Sequence, residues 1–166
     1  MKAGTAKDGK SAKAALAHFA VQVFSQDRQN ARYVGMSEVS RERLEEIGRA
    51  VVESAIEVHR ALGPGLLESA YQECLAYELA KRRLSVERET AVPVEYDGRE
   101  LATGFRIDLL VEGAVIVENK TVERLLPIHE AQLLTYLRLK GCRLGFLLNW
   151  KVTRMKEGIR RMVLGF

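Results

Sequence analysis

The sequence contains only two cysteines, Cys74 and Cys142, and they lie far apart without the spacing of a metal-binding motif. An iron–sulfur cluster held by four cysteines is therefore excluded by count. We expect both thiols to be buried, reduced and inert, as is usual in cytoplasmic proteins. Long apolar runs are also missing, because none approaches the roughly 20 residues that a membrane-spanning helix needs. These absences predict a cytoplasmic protein that does not contact a membrane.

Most of the chain has no excess of positive charge, although the net charge of the whole sequence is +4. Of the 26 basic and 22 acidic residues, six basic and two acidic ones lie in residues 1–35, which leaves 20 of each sign in residues 36–166. The stretch from Lys151 to Arg161 is nevertheless locally basic, with Glu157 as its one acidic residue. It is either a patch that contacts a phosphate backbone or a solvated helix face.

Residues 1–35 differ in composition from the rest and predict a basic N-terminal extension, either disordered or a marginal helix. Its apolar part has no clean cleavage site and is a poor secretory signal. Residues 36–166 have the length of one domain with a sizeable core. Either Met1 or Met36 can be the biological start, since a well-formed helix pattern follows Met36 closely.

The most informative stretch is residues 106–120, which predicts two short strands joined by a tight turn at Glu112 and Gly113. Ile, Leu and Val dominate both strands, as expected for a buried sheet. Three ionisable residues nevertheless interrupt these apolar runs: Asp108, Glu118 and Lys120. Charged groups in a core strand are costly unless they are paired or bind a metal ion.

The register of this hairpin decides whether the two carboxylates can cooperate. With a two-residue loop, Glu118 would face Ile107 and Asp108 would point to the other side of the sheet. A loop with an odd number of residues, or a glycine bulge, shifts the register by one residue and puts Asp108 on the face of Glu118. We therefore predict an odd-length or bulged turn in which Gly113 has a positive φ.

Two carboxylates with a backbone carbonyl make a hard oxygen site suited to Mg²⁺ or Mn²⁺. The carbonyl would be that of Asn119, and Lys120 would orient or deprotonate an attacking water. This arrangement predicts hydrolysis of a phosphodiester. The alternative is a buried ion pair between Lys120 and the carboxylates without catalysis, and the short pattern alone does not decide between them.

Hydrophobic periodicity predicts the remaining elements. A helix is expected from Ser40, as N-cap, to Leu62, and a second helix from Leu66 to Arg83. Strands are expected over 85–97, 101–111 and 143–149, with a helix from Pro127 to Gly141. This order favours an α/β fold with three layers.

The motifs in this chain resemble a known family. Gly65-Leu-Leu-Glu68-Ser-Ala-Tyr71 is similar to the signature of the GxxExxY protein family, which is placed in the PD-(D/E)xK nuclease superfamily. The resemblance continues through Asp108, the Glu118-Asn-Lys120 stretch and the helix from Leu126 to Tyr136, and covers roughly residues 38–165. It implies a restriction-endonuclease-like core, with a mixed central sheet flanked by helices, and nuclease chemistry with a divalent metal.

The resemblance also implies roles for residues outside the hairpin. Gly65, Glu68 and Tyr71 are spaced by three and would form one helical stripe, from which Glu68 would reach the metal or its water shell. Tyr71 is better explained by packing with a hydroxyl handle. Gln132 and Tyr136 resemble the QxxxY motif of RecB-like nucleases, so Gln132 would fix the water or a phosphate.

The predicted substrate-binding residues are His129, Tyr136, Arg160 and Arg161. His129 is the weaker choice, because a lone histidine on a helix is usually structural. The sequence departs from the superfamily at Asn119, where an apolar residue is usual. A buried amide there needs a hydrogen-bond partner or an exposed strand end.

Two functional hypotheses follow. The first is a Mg²⁺-dependent nuclease that acts on nucleic acid, DNA before RNA, with pairing into a homodimer as one way to cut both strands. The second is a non-catalytic module that uses the same fold to bind nucleic acid or a protein.

Overall fold

The computed structural model describes residues 39–97, 99–101 and 105–165. The predicted N-terminal extension over residues 1–35, and the choice between Met1 and Met36, lie outside the described residues. None of the described helices is long and apolar enough to cross a bilayer.

The described chain forms four helices and seven strands. The helices are α1 (Arg41–Leu62), α2 (Glu68–Lys81), α3 (Pro127–Lys140) and the short α4 (Met155–Gly158). The strands are β1 (Val86–Ala91), β2 (Val94–Tyr96), β3 (Arg99–Leu101), β4 (Arg106–Val111), β5 (Val115–Lys120), β6 (Leu144–Asn149) and β7 (Ile159–Val163).

Five strands form a mixed sheet in the order β1-β4-β5-β6-β7, in which β5 and β6 run parallel and the other pairs are antiparallel. One face packs on α1 and α2, and the other packs on α3. The sheet is therefore the middle of three layers, as predicted. The strands β2 and β3 form a separate two-stranded sheet.

The parallel pair explains the apolar composition of the sheet centre. Helices cover both faces of β5 and β6, so every residue of β6 is buried and only Lys120 of β5 is partly exposed. The connection between these strands runs through α3, because a parallel pair requires a crossover. Glu118, Asn119 and Lys120 therefore end a strand whose first three residues are core.

The helix boundaries largely agree with those predicted. Ser40 caps α1 by accepting the backbone N–H of Arg43 at 3.2 Å. Pro127 begins α3, and Gly141 follows it in the left-handed conformation with φ +65°. The prediction that Gly65 shares a helical stripe with Glu68 and Tyr71 is wrong, because α2 begins only at Glu68.

The predicted odd-length turn is confirmed. Val111 pairs with Val115, so the loop between β4 and β5 has three residues, and both Glu112 and Gly113 have positive φ, of +54° and +63°. The carboxylate of Glu112 accepts the backbone N–H of Ser85 at 2.6 Å, which holds this turn against the rest of the domain. Extending the register by one pair from Leu109 and Val117 puts Asp108 opposite Glu118.

Three predicted elements needed correction, and one of them is the strand over 101–111, because β3 ends at Leu101 and β4 begins only at Arg106. The strand over 85–97 is divided at Val92 and Pro93, since proline has no N–H to donate to a sheet ladder. The basic stretch after Trp150 contains only the single turn α4 and then the edge strand β7, which sequence analysis missed. Charged residues on β7 suit an edge strand, because they discourage pairing with another chain.

Both cysteines are free. Cys142 is buried, and burial raises the pKa of its thiol to about 11, in agreement with the expected inert thiol. Cys74 is only partly buried, which corrects the expectation for that residue.

Candidate metal centre

The two carboxylates of the β4–β5 hairpin brace one another across the strands. The backbone N–H of Asp108 donates to Oε1 of Glu118 at 3.2 Å, and the backbone N–H of Asn119 donates to Oδ2 of Asp108 at 2.7 Å. These bonds follow the last regular pair of the ladder, Leu109 with Val117. Each carboxylate thus uses one oxygen to hold the opposite strand and has a second oxygen for another partner.

Glu118 is the most strongly perturbed acid of the site, with only 1% of its surface exposed. Burial, followed by the neighbouring Asp108 carboxylate, raises the pKa of Glu118 to about 8, against the opposing effects of Lys120 and the Asp108 N–H. The same first cause, burial, raises the pKa of Asp108, with smaller contributions from the negative charges of Glu89 and Glu68. The positive charge of Lys120 is therefore too small to offset the burial of the two carboxylates.

Lys120 lies beside Glu118, as its position two residues along β5 predicts. Its Nζ is 3.4 Å from Oε2 of Glu118, and 15% of its side chain is exposed. This is the ion pair that the non-catalytic alternative requires. It does not offset the burial of Glu118, because the pKa of that carboxyl still rises.

Glu68 comes to the site from the first turn of α2. Its Oε1 accepts the backbone N–H of Thr121 at 3.0 Å, so it is tied to the residue that directly follows Lys120. Its charge also contributes to the raised pKa of Asp108. The structure thus brings Glu68 to the hairpin site, although its side chain is exposed and held by Thr121.

The helix α3 contributes Gln132 and Tyr136. It packs on the face of the sheet opposite to the face that packs on α2. Nε2 of Gln132 donates to the Tyr136 hydroxyl at 2.8 Å. Burial raises the pKa of Tyr136 to about 12, and the charges of Glu118 and Asp108 contribute in the same direction. The tyrosine hydroxyl is therefore within electrostatic reach of both carboxylates and stays protonated near neutral pH.

His129 has a structural role at the start of the same helix. Its Nδ1 accepts the backbone N–H of Leu126 at 3.1 Å, which satisfies one donor at the helix N-terminus. This bond favours the capping role over the predicted contact of His129 with phosphate.

The two arginines of β7 lie on different faces of the sheet. Arg160 pairs in register with Leu147, whose side chain belongs to the core on the α3 side, the side of Tyr136. Arg161 pairs in register with Phe146 and forms a 2.5 Å ion pair with Glu45 on α1. Only Arg160 is therefore well placed for a substrate at this site, and the ion pair of Arg161 weighs against its predicted role.

Sequence reasoning missed two polar residues that shape the site. Nε2 of Gln72 donates both to Oε1 of Glu89, at 2.8 Å, and to the carbonyl of Asp108, at 3.2 Å. Glu89 lies across from Asp108 in the β1–β4 register and has a positive φ of +52°. No local sequence signal marks this irregularity, because Val86 to Ala91 contains neither glycine nor proline.

Asn149 was also missed. This residue is 3% exposed, and its side-chain amide bonds both the N–H and the carbonyl of Val122, at 3.1 and 2.8 Å. The contact fastens the segment after Lys120 to the end of β6. A polar residue at the end of a fully apolar strand was the available signal.

The donor set fits one divalent cation of the hard type. Asp108 and Glu118 would hold Mg²⁺ or Mn²⁺ together with the main-chain carbonyl of Asn119, because these ions prefer oxygen ligands. Among the residues that the structure describes, no group of three or more His, Cys, Asp and Glu side chains can hold a metal ion. The fit therefore depends on the backbone carbonyl and on water in addition to the two carboxylates.

A mixed sheet with helices on both faces, carrying Asp, Glu and Lys at one end of neighbouring strands, is the architecture of a restriction-endonuclease-like core. The chain belongs to the PD-(D/E)XK nuclease superfamily, whose family model matches residues 45–162. This match covers most of α1, all of α2 and α3, the hairpin and most of β7. No curated protein and no solved structure shows a significant match to the chain.

Proposed function

We propose that the domain is a divalent-metal-dependent nuclease that hydrolyses phosphodiester bonds, with DNA as its substrate. The observation that carries the proposal is the geometry of the hairpin, in which Asp108 and Glu118 brace one another across β4 and β5 with Nζ of Lys120 3.4 Å from Oε2 of Glu118. The raised pKa of Glu118 agrees with it. A self-sufficient ion pair would keep the carboxyl pKa near or below its usual value. A buried pair of carboxylates that lacks compensation is what a cation site requires.

The chain's own residues divide the chemistry among them. When bound, the metal supplies Lewis-acid polarisation of a phosphoryl oxygen and lowers the pKa of its water. Asp108 and Glu118 provide the negative charge that binds the cation, and the 2.7 Å bond from Asn119 fixes the orientation of Asp108. Lys120 orients or deprotonates the attacking water, and Gln132 positions water or phosphate, with Glu68 completing the site.

Several finer assignments form part of the same proposal. The likeness of the Gly65-to-Tyr71 motif to the GxxExxY signature supports assignment to that family, and the free thiols support a cytoplasmic location. Substrate contacts are assigned to Tyr136 and Arg160. Pairing of two copies, so that both strands of a duplex are cut, is tested by the molar mass in solution with and without DNA.

Cleavage assays with matched variants test the proposal. Purified protein is incubated with supercoiled plasmid and with single-stranded DNA and RNA, in Mg²⁺, Mn²⁺ or chelator. We expect metal-dependent cleavage by the wild type, and a loss of at least about 100-fold in Asp108→Ala and Glu118→Gln. The matched control is Glu46→Gln, which makes the same chemical change at an exposed carboxylate paired with Arg43 on α1.

The assays also separate the two functional classes. Wild-type protein that neither binds Mn²⁺ nor cuts any of these substrates would refute the nuclease proposal. Retention of DNA without metal and without cleavage would instead support the binding-module alternative, in which the contact between Lys120 and Glu118 is only structural.

A further inference from the structure

The side chain of Asn119 points away from the carboxylates and is completely buried. It lies between Glu118 and Lys120 on β5, so strand alternation directs it to the face that packs on α1 and α2. Oδ1 accepts the indole N–H of Trp150 at 2.9 Å, and Nδ2 has no hydrogen-bond partner in the described structure. The indole N–H of Trp150 is therefore the one hydrogen-bond partner of this buried side-chain amide in the described structure.

Trp150 is itself held on two sides. Its ring stacks on Tyr71, with the ring centroids 4.5 Å apart and the planes 3° from parallel. Its backbone N–H donates to the carbonyl of Lys120 at 2.8 Å. Both aromatic side chains are fully buried, so the indole has little freedom to move away from Asn119.

Tyr71 fixes the stack to the loop that precedes α2. Its hydroxyl donates to the carbonyl of Gly63 at 2.6 Å and accepts the backbone N–H of Leu66 at 3.2 Å. This loop leads directly to Glu68, whose carboxylate binds the N–H of Thr121. The aromatic stack is thus tied both to the loop before α2 and to the end of β5.

The main chain of Asn119 is the point at which this packing meets the metal centre. Its N–H holds the Asp108 carboxylate at 2.7 Å, beyond the last ladder pair of β4 and β5. We propose that Trp150, supported by Tyr71, is a positioning residue that sets the main chain of Asn119 and so the orientation of Asp108. Neither aromatic side chain contacts the metal or the substrate, so their effect is exerted through Asn119.

The inference rests on the proposed function, because it concerns the orientation of Asp108 as a metal ligand. Its first test nevertheless needs no metal. Trp150→Phe keeps an aromatic ring against Tyr71 and removes the N–H donor to Asn119. We expect amide hydrogen exchange at Asn119 in the metal-free protein to accelerate about tenfold, which corresponds to about 1.4 kcal/mol. In Trp150→Phe/Asn119→Leu, which has no polar group left to satisfy, exchange at position 119 should return to within about threefold of the wild type.

The second readout is Mn²⁺ affinity in fully folded protein. Loss of a group that orients a metal ligand typically weakens binding about 10- to 100-fold, so we expect at least a tenfold loss in Trp150→Phe and recovery in the double variant. Phe146→Leu is the matched control, because it removes another buried aromatic ring of the same core cluster at a position that pairs with Val117 and not with Asn119. It should lower the melting temperature and leave both readouts unchanged.

Defined outcomes overturn the inference. Trp150→Phe with wild-type exchange at Asn119 would refute it, and so would equal changes in Trp150→Phe and Phe146→Leu, since those indicate a general loss of stability. If Trp150→Phe does not fold, Tyr71→Phe serves instead, and unchanged exchange at Asn119 in that variant refutes the inference. A wild type that binds no Mn²⁺ refutes the proposed nuclease, whereas the exchange data still decide the role of Trp150.

Discussion

The raised pKa of Glu118 predicts that metal affinity depends steeply on pH. With a pKa of about 8, Glu118 is protonated in most metal-free molecules at pH 7, and metal binding must displace that proton. The ionised fraction rises from about 1% at pH 6 to about 50% at pH 8. Apparent Mn²⁺ affinity should therefore increase about 50-fold over this range, with release of close to one proton at pH 7.

The same pKa predicts the direction of the stability change without metal. Because the pKa of Glu118 in the folded protein lies above its usual value of 4.5, the stability linked to its protonated form is complete below about pH 4.5 and is lost as the pH rises through about 8. The raised pKa of Asp108 acts in the same direction. At about 1.4 kcal/mol per pKa unit, the loss for Glu118 amounts to about 5 kcal/mol at most.

Titration calorimetry in two buffers of different ionisation enthalpy measures both the affinity and the number of protons released. Thermal unfolding between pH 5 and 8, with and without saturating Mn²⁺, measures the stability change. Glu118→Gln, which cannot ionise, should show a flatter pH dependence of metal-free stability, while Glu46→Gln should behave as the wild type. A wild-type affinity that changes less than about threefold between pH 6 and 8 would refute the assigned pKa and its cause.

Three further substitutions have definite expected outcomes. Gly158→Ala should unfold or destabilise the domain by about 3 kcal/mol or more, measured by denaturant titration, because an added Cβ would overlap the carbonyl oxygen of Asn149; unchanged stability would show that this contact can relax. Asn149→Ala should cost about 2–4 kcal/mol, since it leaves the N–H and carbonyl of Val122 without their partners, and a loss below about 0.5 kcal/mol would contradict this. Glu68→Gln should keep the melting temperature within a few degrees and lower kcat about tenfold or more, whereas full activity would limit Glu68 to binding the N–H of Thr121.

Local chemistry allowed much of the fold to be predicted from the sequence. Ser40, Pro127 and Gly141 mark helix ends through capping and backbone preference, which act over a few residues. The three-residue turn followed from one requirement, that Asp108 and Glu118 face the same side of the sheet. The structure has that turn and confirms the register.

What the sequence could not provide are contacts between distant segments. Trp150 and Asn119 are 31 residues apart, so no local pattern in the sequence connects the buried amide with this aromatic residue. Arg161 is paired with Glu45 on the first helix, which no local charge pattern reveals. The edge strand β7 was missed because its basic residues suggested a solvated helix.

The stacked indole also has a practical consequence. Trp150 is the only tryptophan in the chain, so all indole emission originates from one ring that is bonded directly to the strand carrying Glu118 and Lys120. Mn²⁺ is paramagnetic, and its occupancy of the centre should appear as quenching of that single signal. Under the proposed metal binding, this single signal would report cation occupancy without a label or a substrate.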